Sequence, residues 1–349
     1  ADDGIFLTSL PSRALATVRI KNVMAFGCKN NDNIHNAFEL NFNDGINVII
    51  GENGTGKTSL LKMIYAAIEA PSQINDTKTL SYNLYDYFSN KLKVNNFSNI
   101  HMPSNSFVGF EVSNGNEVFK ANFSDDNIHS FYTKNNWNTS AIFIPTTEML
   151  SHSKGFLALN QKFNMPFDQT QIDIIVNASL PEARQVPKYM NNILDKISKV
   201  IDGSIIQEND EFYVLKNNGQ KIPFSLEAEG LRKLGLLWKL IRNGLLVENC
   251  VLIWDEPEAN LNPELFPLVT EILLELQQNG IQIFIATHSY NFVKYLEIRR
   301  TSKEQVQFHN LYHADEIGID NDSAYFMGDL KQNHIMIADN KLLDEVYNL

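Results

Sequence analysis

The first part of the chain combines strand-like runs with one helical pattern. Residues 17–20 and 22–26 are short strand-like runs, and residues 38–42 alternate hydrophobic and polar side chains with a period of two. Residues 46–50 are mostly aliphatic, which is typical of a strand buried inside a parallel sheet. A glycine-rich turn follows, and hydrophobic residues then recur at helical spacing until Pro71. The pattern therefore predicts several strands that lead into a helix.

The middle of the chain predicts a β-rich insertion. From residue 72 to residue 140 the sequence is rich in Asn and Ser, and its short strands carry aromatic residues. The clearest of these strands, residues 107–112 and 118–121, flank the pair Asn114-Gly115, which favours a hairpin turn. We expect a β-rich insertion over residues 72–140, either as a docking surface for a partner or as ordinary sheet edge.

A helical segment follows the insertion. Residues 141–144 predict a further buried strand, and residues 146–201 are mainly helical in pattern, with breaks at Pro181 and Pro187. The sequence thus predicts a helical subdomain over residues 146–201. A second hairpin is expected after it, with its turn at residues 218–219.

The last third of the chain has the pattern strand, helix, strand. Residues 251–254 and 281–286 predict buried strands, and residues 263–278 predict a helix that Asn262 caps and Gly280 ends. Such a unit places its two strands parallel, joined by a right-handed crossover. The predicted fold class is therefore α/β, with a mixed β part in the amino-terminal third, a parallel core sheet and a helical insertion.

Composition and charge limit the classes of protein. The chain has 349 residues, of which 44% are hydrophobic and 20% charged, as is typical of a soluble globular protein with a large core. Its net charge of −12 excludes a wholly basic coat for nucleic acid, while a local basic face stays open. From His313 onward eight acidic residues accompany two lysines, and we expect a solvated tail or face there.

Cysteine usage and hydropathy predict a cytoplasmic location. Cys28 and Cys250 lie in unrelated contexts without a CxxC pair, which favours free thiols in a reducing compartment. The first residues lack the basic and apolar regions of a signal peptide, and no run of about 18 apolar residues is long enough to span a membrane. We expect no membrane partner.

The first chemical motif is a glycine-rich loop after the predicted strand 46–50. Residues 51–58 fit the pattern G-x-x-x-x-G-K-[ST]. Glycines let successive backbone N–H groups point inward at phosphate oxygens, and the following helix presents its positive end to the same phosphates. Lys57 would reach the β- and γ-phosphates, and the Thr58 hydroxyl would bind Mg²⁺. The predicted nucleotide-binding residues are Gly51, Glu52, Asn53, Gly54, Thr55, Gly56, Lys57, Thr58 and Ser59.

Two acidic residues follow the predicted strand 251–254. Ligands of an open α/β sheet bind at the carboxyl ends of its strands. Asp255 is therefore the candidate Mg²⁺ ligand, directly or through water, and Glu256 is the candidate that orients or deprotonates the attacking water. The alternative is a structural pair that caps the next helix, and Pro257 argues against it.

His288 completes the set of predicted catalytic residues with Lys57 and Glu256. It follows the next strand along the chain and, by the geometry of the unit, lies at the same edge of the sheet as Asp255. A neutral imidazole there can donate a hydrogen bond to a γ-phosphate oxygen and so report its presence. The alternative is a polar turn residue without a catalytic role, and the shared edge favours the functional interpretation.

Together these motifs resemble those of the ATP-binding-cassette ATPase superfamily. The resemblance rests on residues 51–58, residues 251–263 and residues 287–289, and within the superfamily the chain is similar to the branch of RecF-like, OLD-like and SMC-like heads. Residues 144–150 are similar to a segment of the standalone ATPases of bacterial antiphage systems, of the Septu and retron-associated type. The resemblance implies that residues 1–349 form a single ATPase head.

The resemblance also implies a head that works in pairs. Two heads of this superfamily enclose two ATP molecules, and a signature segment of each head completes the site of the other. Residues 225–233 correspond to that segment, and only Gly230 clearly matches the transporter pattern Leu-Ser-Gly-Gly-Gln. Gly230 is thus a predicted nucleotide contact in trans, and an acidic first turn that suits the helix dipole is the alternative. Asn260 lies in the segment that usually runs along the seam between heads.

The implied activity is Mg-dependent hydrolysis of ATP, with ATP and Mg²⁺ bound at this site. ATP would close a homodimer or higher homo-oligomer and hydrolysis would reopen it, so that the head controls a separately encoded effector, such as a nuclease, in antiphage defence. No sustained heptads lie between Lys57 and Asp255, so no long coiled-coil arm is expected. The alternatives are a RecF-like DNA-repair ATPase that binds DNA, the nucleotide-binding subunit of a transporter, and a scaffold that binds ATP without hydrolysing it.

Overall fold

The computed structural model describes residues 17–21, 38–72, 108–114, 118–124, 127–133, 139–163, 165–314 and 318–348. The described helices are α1 (Lys57–Ser72), α2 (Phe156–Phe163), α3 (Gln169–Ser179), α4 (Lys188–Ile201), α5 (Glu229–Arg242), α6 (Phe266–Gln278), α7 (Tyr290–Arg299) and α8 (His334–Tyr347). The described strands are β1 (Thr17–Lys21), β2 (Phe38–Asn41), β3 (Ile46–Gly51), β4 (Val108–Ser113), β5 (Val118–Ser124), β6 (Asn127–Thr133), β7 (Ala141–Ile144), β8 (Gly203–Glu208), β9 (Glu211–Lys216), β10 (Lys221–Pro223), β11 (Val251–Asp255), β12 (Gln282–Ala286), β13 (Val306–Ala314) and β14 (Gly318–Ala324).

A six-stranded sheet forms the centre of the fold, with the order β14-β13-β3-β12-β11-β7. All neighbouring pairs are parallel except β13 and β14. Every residue of β3, β7, β11 and β12 is buried, as expected for strands that are covered on both faces. The predicted parallel core sheet is thus confirmed. The antiparallel strand β14 is an addition, and it lies in the acidic segment for which we expected a solvated tail or face.

Hydrophobic faces of the helices cover this sheet. Helix α1 packs against β3, β7, β11 and β12, and Tyr65 of α1 meets Phe143 of β7 edge to face. Trp254 of β11 is completely buried in a core to which helices α3 to α7 all contribute apolar side chains. Removal of this apolar surface from water is the main stabilising term of such a fold.

Local signals set the helix boundaries between residues 156 and 201. The Asp168 side chain accepts the N–H groups of Thr170 and Gln171, and the Gln171 side chain accepts the N–H of Asp168, so that a capping box begins α3. Helix α4 begins directly after Pro187 and ends at Ile201, and Asp202 caps it with a φ of 53°. The predicted helical pattern and its breaks near Pro181 and Pro187 are confirmed.

Two smaller sheets are antiparallel. One has the order β2-β1-β4-β5-β6, in which β4 of the predicted insertion pairs with β1, and β5 and β6 extend the sheet from β4. The other has the order β10-β9-β8. Both predicted hairpins are found as strand pairs, and Gly219 takes a φ of 85° in the turn between β9 and β10. Gly115, in the other predicted turn, lies outside the described residues.

A few predicted boundaries differ from the structure. Helix α1 ends at Ser72, one residue after its expected stop at Pro71. The predicted helix over residues 263–278 begins as a 3₁₀ turn, in which the Asn262 side chain accepts the N–H of Glu264 at 3.1 Å, and α6 follows it. The predicted strand over residues 22–26 lies outside the described residues. None of the described helices combines the length and the hydropathy needed to cross a bilayer.

The central sheet contains a buried histidine. His309 of β13 has no exposed surface, and its Nδ1 lies 2.7 Å from Ser323 Oγ on β14. Its Nε2 lies 3.1 Å from Asn47 Oδ1 on β3. Burial lowers the pKa of His309 to about 3, so the imidazole is neutral and joins three strands through hydrogen bonds.

We expect the lowered pKa of His309 to reduce the free energy of unfolding by about 2 kcal/mol as the pH falls from about 7.5 to about 5. An unfolded histidine binds a proton below about pH 6.5, whereas His309 in the folded chain stays neutral until about pH 3. Acid therefore favours the unfolded chain over this range. Urea unfolding at both pH values measures the effect, and His309→Gln should remove this part of the pH dependence. Equal pH dependence in the two proteins would contradict the assignment.

Candidate nucleotide-binding site

A tight loop joins β3 to α1 and carries the glycine-rich motif. Gly51 ends β3 with a φ of 148°, and a Cβ there would lie 2.2 Å from the carbonyl oxygen of Leu311 in β13. Any side chain at residue 51 would therefore push β3 away from β13. Gly56 has a φ of 82° directly before α1, a conformation that favours glycine. The loop thus ends at the amino end of a helix, whose free N–H groups attract anions.

Lys57 is the first residue of α1, and its side chain turns into the loop. Its Nζ donates to the carbonyl oxygens of Gly51 at 2.9 Å and Glu52 at 2.7 Å. Burial lowers the pKa of Lys57 to about 8, although the charges of Asp255, Glu256 and Glu52 oppose this shift. An anion bound in the loop would offset the lost hydration of the ammonium group, so the loop is suited to phosphate.

The remaining residues of the motif lie where the loop requires them. Thr55 is buried, and its Oγ1 donates to the carbonyl oxygen of Glu52 at 2.9 Å, which holds the loop in shape. Asn53 and Gly54 are exposed at the tip of the loop, and Ser59 is half-buried in the first turn of α1. The exposed tip leaves the backbone of the loop open to a ligand.

Asp255 is the last residue of β11 and lies beside the start of α1. Thr58 Oγ1 donates to Asp255 Oδ2 at 2.9 Å, and the Thr146 side chain also forms a hydrogen bond with this carboxylate. Burial raises the pKa of Asp255, and the two hydroxyl groups oppose that shift. Carboxylate and hydroxyl oxygens are ligands that Mg²⁺ prefers, and a cation would offset the cost of the buried charge. The residues present therefore fit a magnesium ion.

Thr146 is a residue of this site that sequence reasoning missed. Strand β7 pairs in parallel with β11, so the chain leaving β7 reaches the same edge of the sheet as Asp255. Behind Thr146, Glu148 is buried and pairs with Arg232 of α5 at 3.2 Å. The signal available in the sequence was a cluster of polar residues directly after a short aliphatic strand.

Glu256 and His288 come together at this edge of the sheet, as the strand geometry predicts. His288 Nε2 lies 3.5 Å from Glu256 Oε1, and both side chains are partly exposed. Glu256 has a φ of 49°, and its N–H donates to the carbonyl oxygen of Ala286 at 2.8 Å. Burial and the charge of Lys57 lower the pKa of His288, which favours the neutral imidazole. A carboxylate and a neutral imidazole, which is able to donate a hydrogen bond, thus stand side by side.

A cavity of about 500 Å³ opens beside the loop. Its lining includes Glu52 and Asn53 of the loop, His288, and residues of α8. His334 of α8 lies with Nδ1 3.4 Å from Glu52 Oε1. The acidic carboxyl-terminal segment therefore returns to the phosphate loop, a contact that its charge pattern did not indicate.

Hydrogen bonds join helix α5 to the turn after β11. Lys233 of α5 is buried, and its Nζ donates to the carbonyl oxygen of Glu256 at 2.9 Å. Asn260 Nδ2 donates to Glu229 Oε1 at 2.9 Å. A Cβ on Gly230 would lie 2.9 Å from the carbonyl oxygen of Asn260, so only glycine allows this approach. Within one chain Gly230 thus packs against the turn, and its contact with nucleotide in trans stays a prediction.

The acidic residues around the start of α5 are each paired within the chain. Glu227 forms an ion pair with Lys216 at 2.5 Å, and Glu229 accepts the hydrogen bond from Asn260. Both carboxylates thus have partners within the same chain at the start of α5.

One family of known proteins matches most of the chain. The family described as "AAA domain, putative AbiEii toxin, Type IV TA system" matches residues 46–294. This range contains the loop, the carboxyl ends of β11 and β12, and helix α5.

Two curated relatives match shorter stretches. The arginine transport ATP-binding protein ArtP of Haemophilus influenzae is 35% identical over 75 residues, which are 22% of this chain and 31% of that protein. The L-cystine import ATP-binding protein TcyN of Bacillus subtilis is 28% identical over 111 residues, which are 28% of this chain and 41% of that protein. The chain thus spans less than half the length of these curated relatives.

A solved structure has a similar fold. The SMC head bound to the C-winged helix domain of ScpA matches with a TM-score of 0.54 at 13% identity, over 89% of this chain and 98% of that chain. The fold is therefore that of an ABC and SMC type ATPase head, with a mixed sheet and surrounding helices, as the sequence predicts.

Gly230→Ala should destabilise the folded chain by about 1–3 kcal/mol, because the new Cβ would press on the backbone at Asn260. The matched control is Gly328→Ala, where the added Cβ meets nothing within 4 Å. Its effect should stay within about 0.5 kcal/mol. Urea unfolding of both variants measures the difference, and equal stabilities would contradict the tight contact between α5 and the turn.

Proposed function

The chain belongs to this AAA domain family, as a P-loop ATPase of the ABC and SMC type, and on that premise we propose that it hydrolyses ATP as a switch subunit controlling a separately encoded effector. One observation carries the proposal. The phosphate loop, a buried carboxylate fit for a metal ion, and the pair Glu256 and His288 meet at one edge of the sheet. Phosphate-binding loops of this kind serve positioning and electrostatic stabilisation in phosphoryl transfer.

The loop residues bind the phosphates of ATP in this proposal. Backbone N–H groups of residues 53–58 surround the phosphate oxygens, and Lys57 exchanges its two carbonyl partners for the β- and γ-phosphates. Thr58 and Asp255 would hold Mg²⁺, which neutralises charge on the phosphate oxygens when it is bound. Thr146 keeps the Asp255 carboxylate in place.

Glu256 and His288 act on the γ-phosphate. Glu256 accepts a proton from the water that attacks the γ-phosphorus, and the bond to ADP breaks on the opposite side. His288 donates a hydrogen bond to a γ-phosphate oxygen, which its neutral imidazole allows. Lys233 holds the backbone of Glu256 through its carbonyl oxygen, so that the base keeps its left-handed conformation.

The switch consists of two heads that close around ATP. We assign the contact with the second head to the start of α5 at Gly230 and to the turn that contains Asn260. Their packing against each other ties this surface to Glu256. The similar SMC head was solved with a bound partner domain, which supports a role in assemblies. Homodimers and higher homo-oligomers are both compatible with this proposal.

The proposed effector and the proposed role in antiphage defence are based on resemblance to other proteins. The family description names a toxin of a type IV TA system, and residues 144–150 resemble a segment of antiphage ATPases. We therefore assign the head to antiphage defence in the cytoplasm, where ATP holds or releases an effector such as a nuclease. A RecF-like role on DNA, a transport role like that in the names of the curated relatives, and a non-hydrolysing scaffold are the rivals.

Glu256→Gln should lower the rate of phosphate release by a factor of about 100 or more while ATP still binds, because the water loses its base. A coupled assay measures turnover, and titration with a fluorescent ATP analogue measures binding. The matched control is Glu264→Gln, an exposed carboxylate in the 3₁₀ turn before α6, which should leave both unchanged. Unchanged turnover in Glu256→Gln would overturn the role of Glu256, and wild-type protein that binds ATP without turnover would favour the scaffold.

A pull-down of Glu256→Gln with ATP and Mg²⁺ from its native cells should recover a soluble effector, because the trapped closed state keeps its partner. Mass spectrometry and a nucleic-acid stain identify what binds. Wild-type protein with ADP is the control and should recover less. Recovery of DNA alone, with binding that weakens steeply as the salt concentration rises, would favour the RecF-like role. Recovery of a membrane permease would contradict both the effector switch and the RecF-like role.

A further inference from the structure

We propose that Glu258 is a positioning residue for His288. Its carboxyl group joins the turn after β11 to the loop after β12 and thereby fixes where the imidazole stands beside Glu256. The inference rests on the proposed hydrolysis of ATP and adds a residue to it that neither the motif nor the family resemblance assigns.

The hydrogen bonds that one oxygen of Glu258 accepts carry the inference. Glu258 Oε1 accepts the hydroxyl of Thr287 and, at 3.3 Å, the backbone N–H of His288. The Thr287 hydroxyl in turn accepts the N–H of Ser289 at 3.0 Å. The carboxyl group thus holds Thr287 and His288 directly, and Ser289 through the Thr287 hydroxyl.

Other hydrogen bonds hold the two residues beside His288. The N–H of Thr287 donates to the carbonyl oxygen of Ile49 in β3 at 3.1 Å, and the Ser289 hydroxyl accepts the N–H of Phe292 to cap α7. Both bonds fix the residues beside His288, whereas its own backbone N–H is bonded to Glu258. The imidazole itself forms a hydrogen bond with the backbone of Gly51 and lies 3.5 Å from Glu256, and Glu258 holds the backbone from which this side chain extends.

The second oxygen of Glu258 is unusual. Among the residues that the structure describes, Glu258 Oε2 is buried without a hydrogen-bond partner. Burial raises the pKa of Glu258, which favours the neutral carboxyl group. A buried polar atom without a partner costs free energy, and the hydrogen bonds that Oε1 accepts offset part of this cost. The two hydrogen bonds accepted by Oε1 therefore account for a carboxyl group at this buried position.

The backbone of the turn aims this side chain at the His288 loop. Glu256 and Asn260 have φ values of 49° and 60°, and the N–H of Leu261 donates to the carbonyl oxygen of Glu258 at 3.0 Å. In this tight turn the Glu258 side chain reaches the loop after β12, while the Asn260 side chain reaches α5. Glu258 therefore links the turn of the proposed base Glu256 to His288, which would donate a hydrogen bond to the γ-phosphate.

A double-mutant cycle on turnover tests the inference. Glu258→Ala should lower kcat by a factor on the order of 10 to 100, through misplacement of His288, with unchanged affinity for ATP. In the His288→Ala background it should cause no further loss. Glu258→Gln should retain wild-type kcat, because the amide oxygen accepts the same two hydrogen bonds. Glu264→Ala is the matched control on the same segment and should behave like wild type.

Imidazole resonances of protein labelled with ¹⁵N-histidine give a second readout that does not need turnover. The chain has 8 histidines, and the His288→Ala spectrum identifies the resonance of His288. That resonance should move in Glu258→Ala and stay in Glu258→Gln. If Glu258→Ala fails to fold, Thr287→Val removes the same link from the other side and should move the resonance in the same way.

Additive losses of kcat in the double variant, or an unmoved His288 resonance in both Glu258→Ala and Thr287→Val, would overturn the inference. If the proposed hydrolysis of ATP is wrong, the experiments give a different result. Wild-type protein would then bind ATP without releasing phosphate, while the His288 resonance would still report whether Glu258 positions the imidazole.

Discussion

Parallel pairing between β3, β12 and β11 is the constraint on which the site depends. Ala286 at the end of β12 pairs with Asp255 on one side and with Ile49 on the other. A slip of one residue would turn every buried side chain of these strands to the opposite face, so the register is fixed by the core. The phosphate loop, Glu256 and His288 follow the ends of these strands, and a fixed register places them side by side.

Burial of polar groups gives this edge its chemical character. Desolvation disfavours the charged forms of Lys57, Lys233 and Asp255, and each of these side chains is hydrogen-bonded to a neighbouring element. Such a site has weak screening, so a bound phosphate and a cation would interact strongly with groups that are already in position. The same desolvation makes an empty site costly, which favours ligands of complementary charge.

Two helices contact the site from other parts of the chain. Helix α5 holds the turn after β11 through Lys233 and the close approach at Gly230. Helix α8 lines the cavity beside the phosphate loop, and Leu343 and Val346 in its second half are exposed. A switch requires elements that are packed against the site and also exposed elsewhere, and α8 meets both conditions.

The sequence alone determined the parts that depend on local pattern. The aliphatic runs, their spacing and the glycine-rich loop predicted the parallel sheet, and the shared edge of its strands predicted that Asp255, Glu256 and His288 lie near the loop. Only the tertiary structure decided contacts between segments distant in the chain. Thr146 on Asp255, Lys233 on Glu256 and α8 beside Glu52 join residues whose local patterns are those of an ordinary loop, an amphipathic helix and an acidic tail. Hydrophobic periodicity specifies which face of an element is buried, and which polar groups then meet is specified by packing and desolvation across the whole fold.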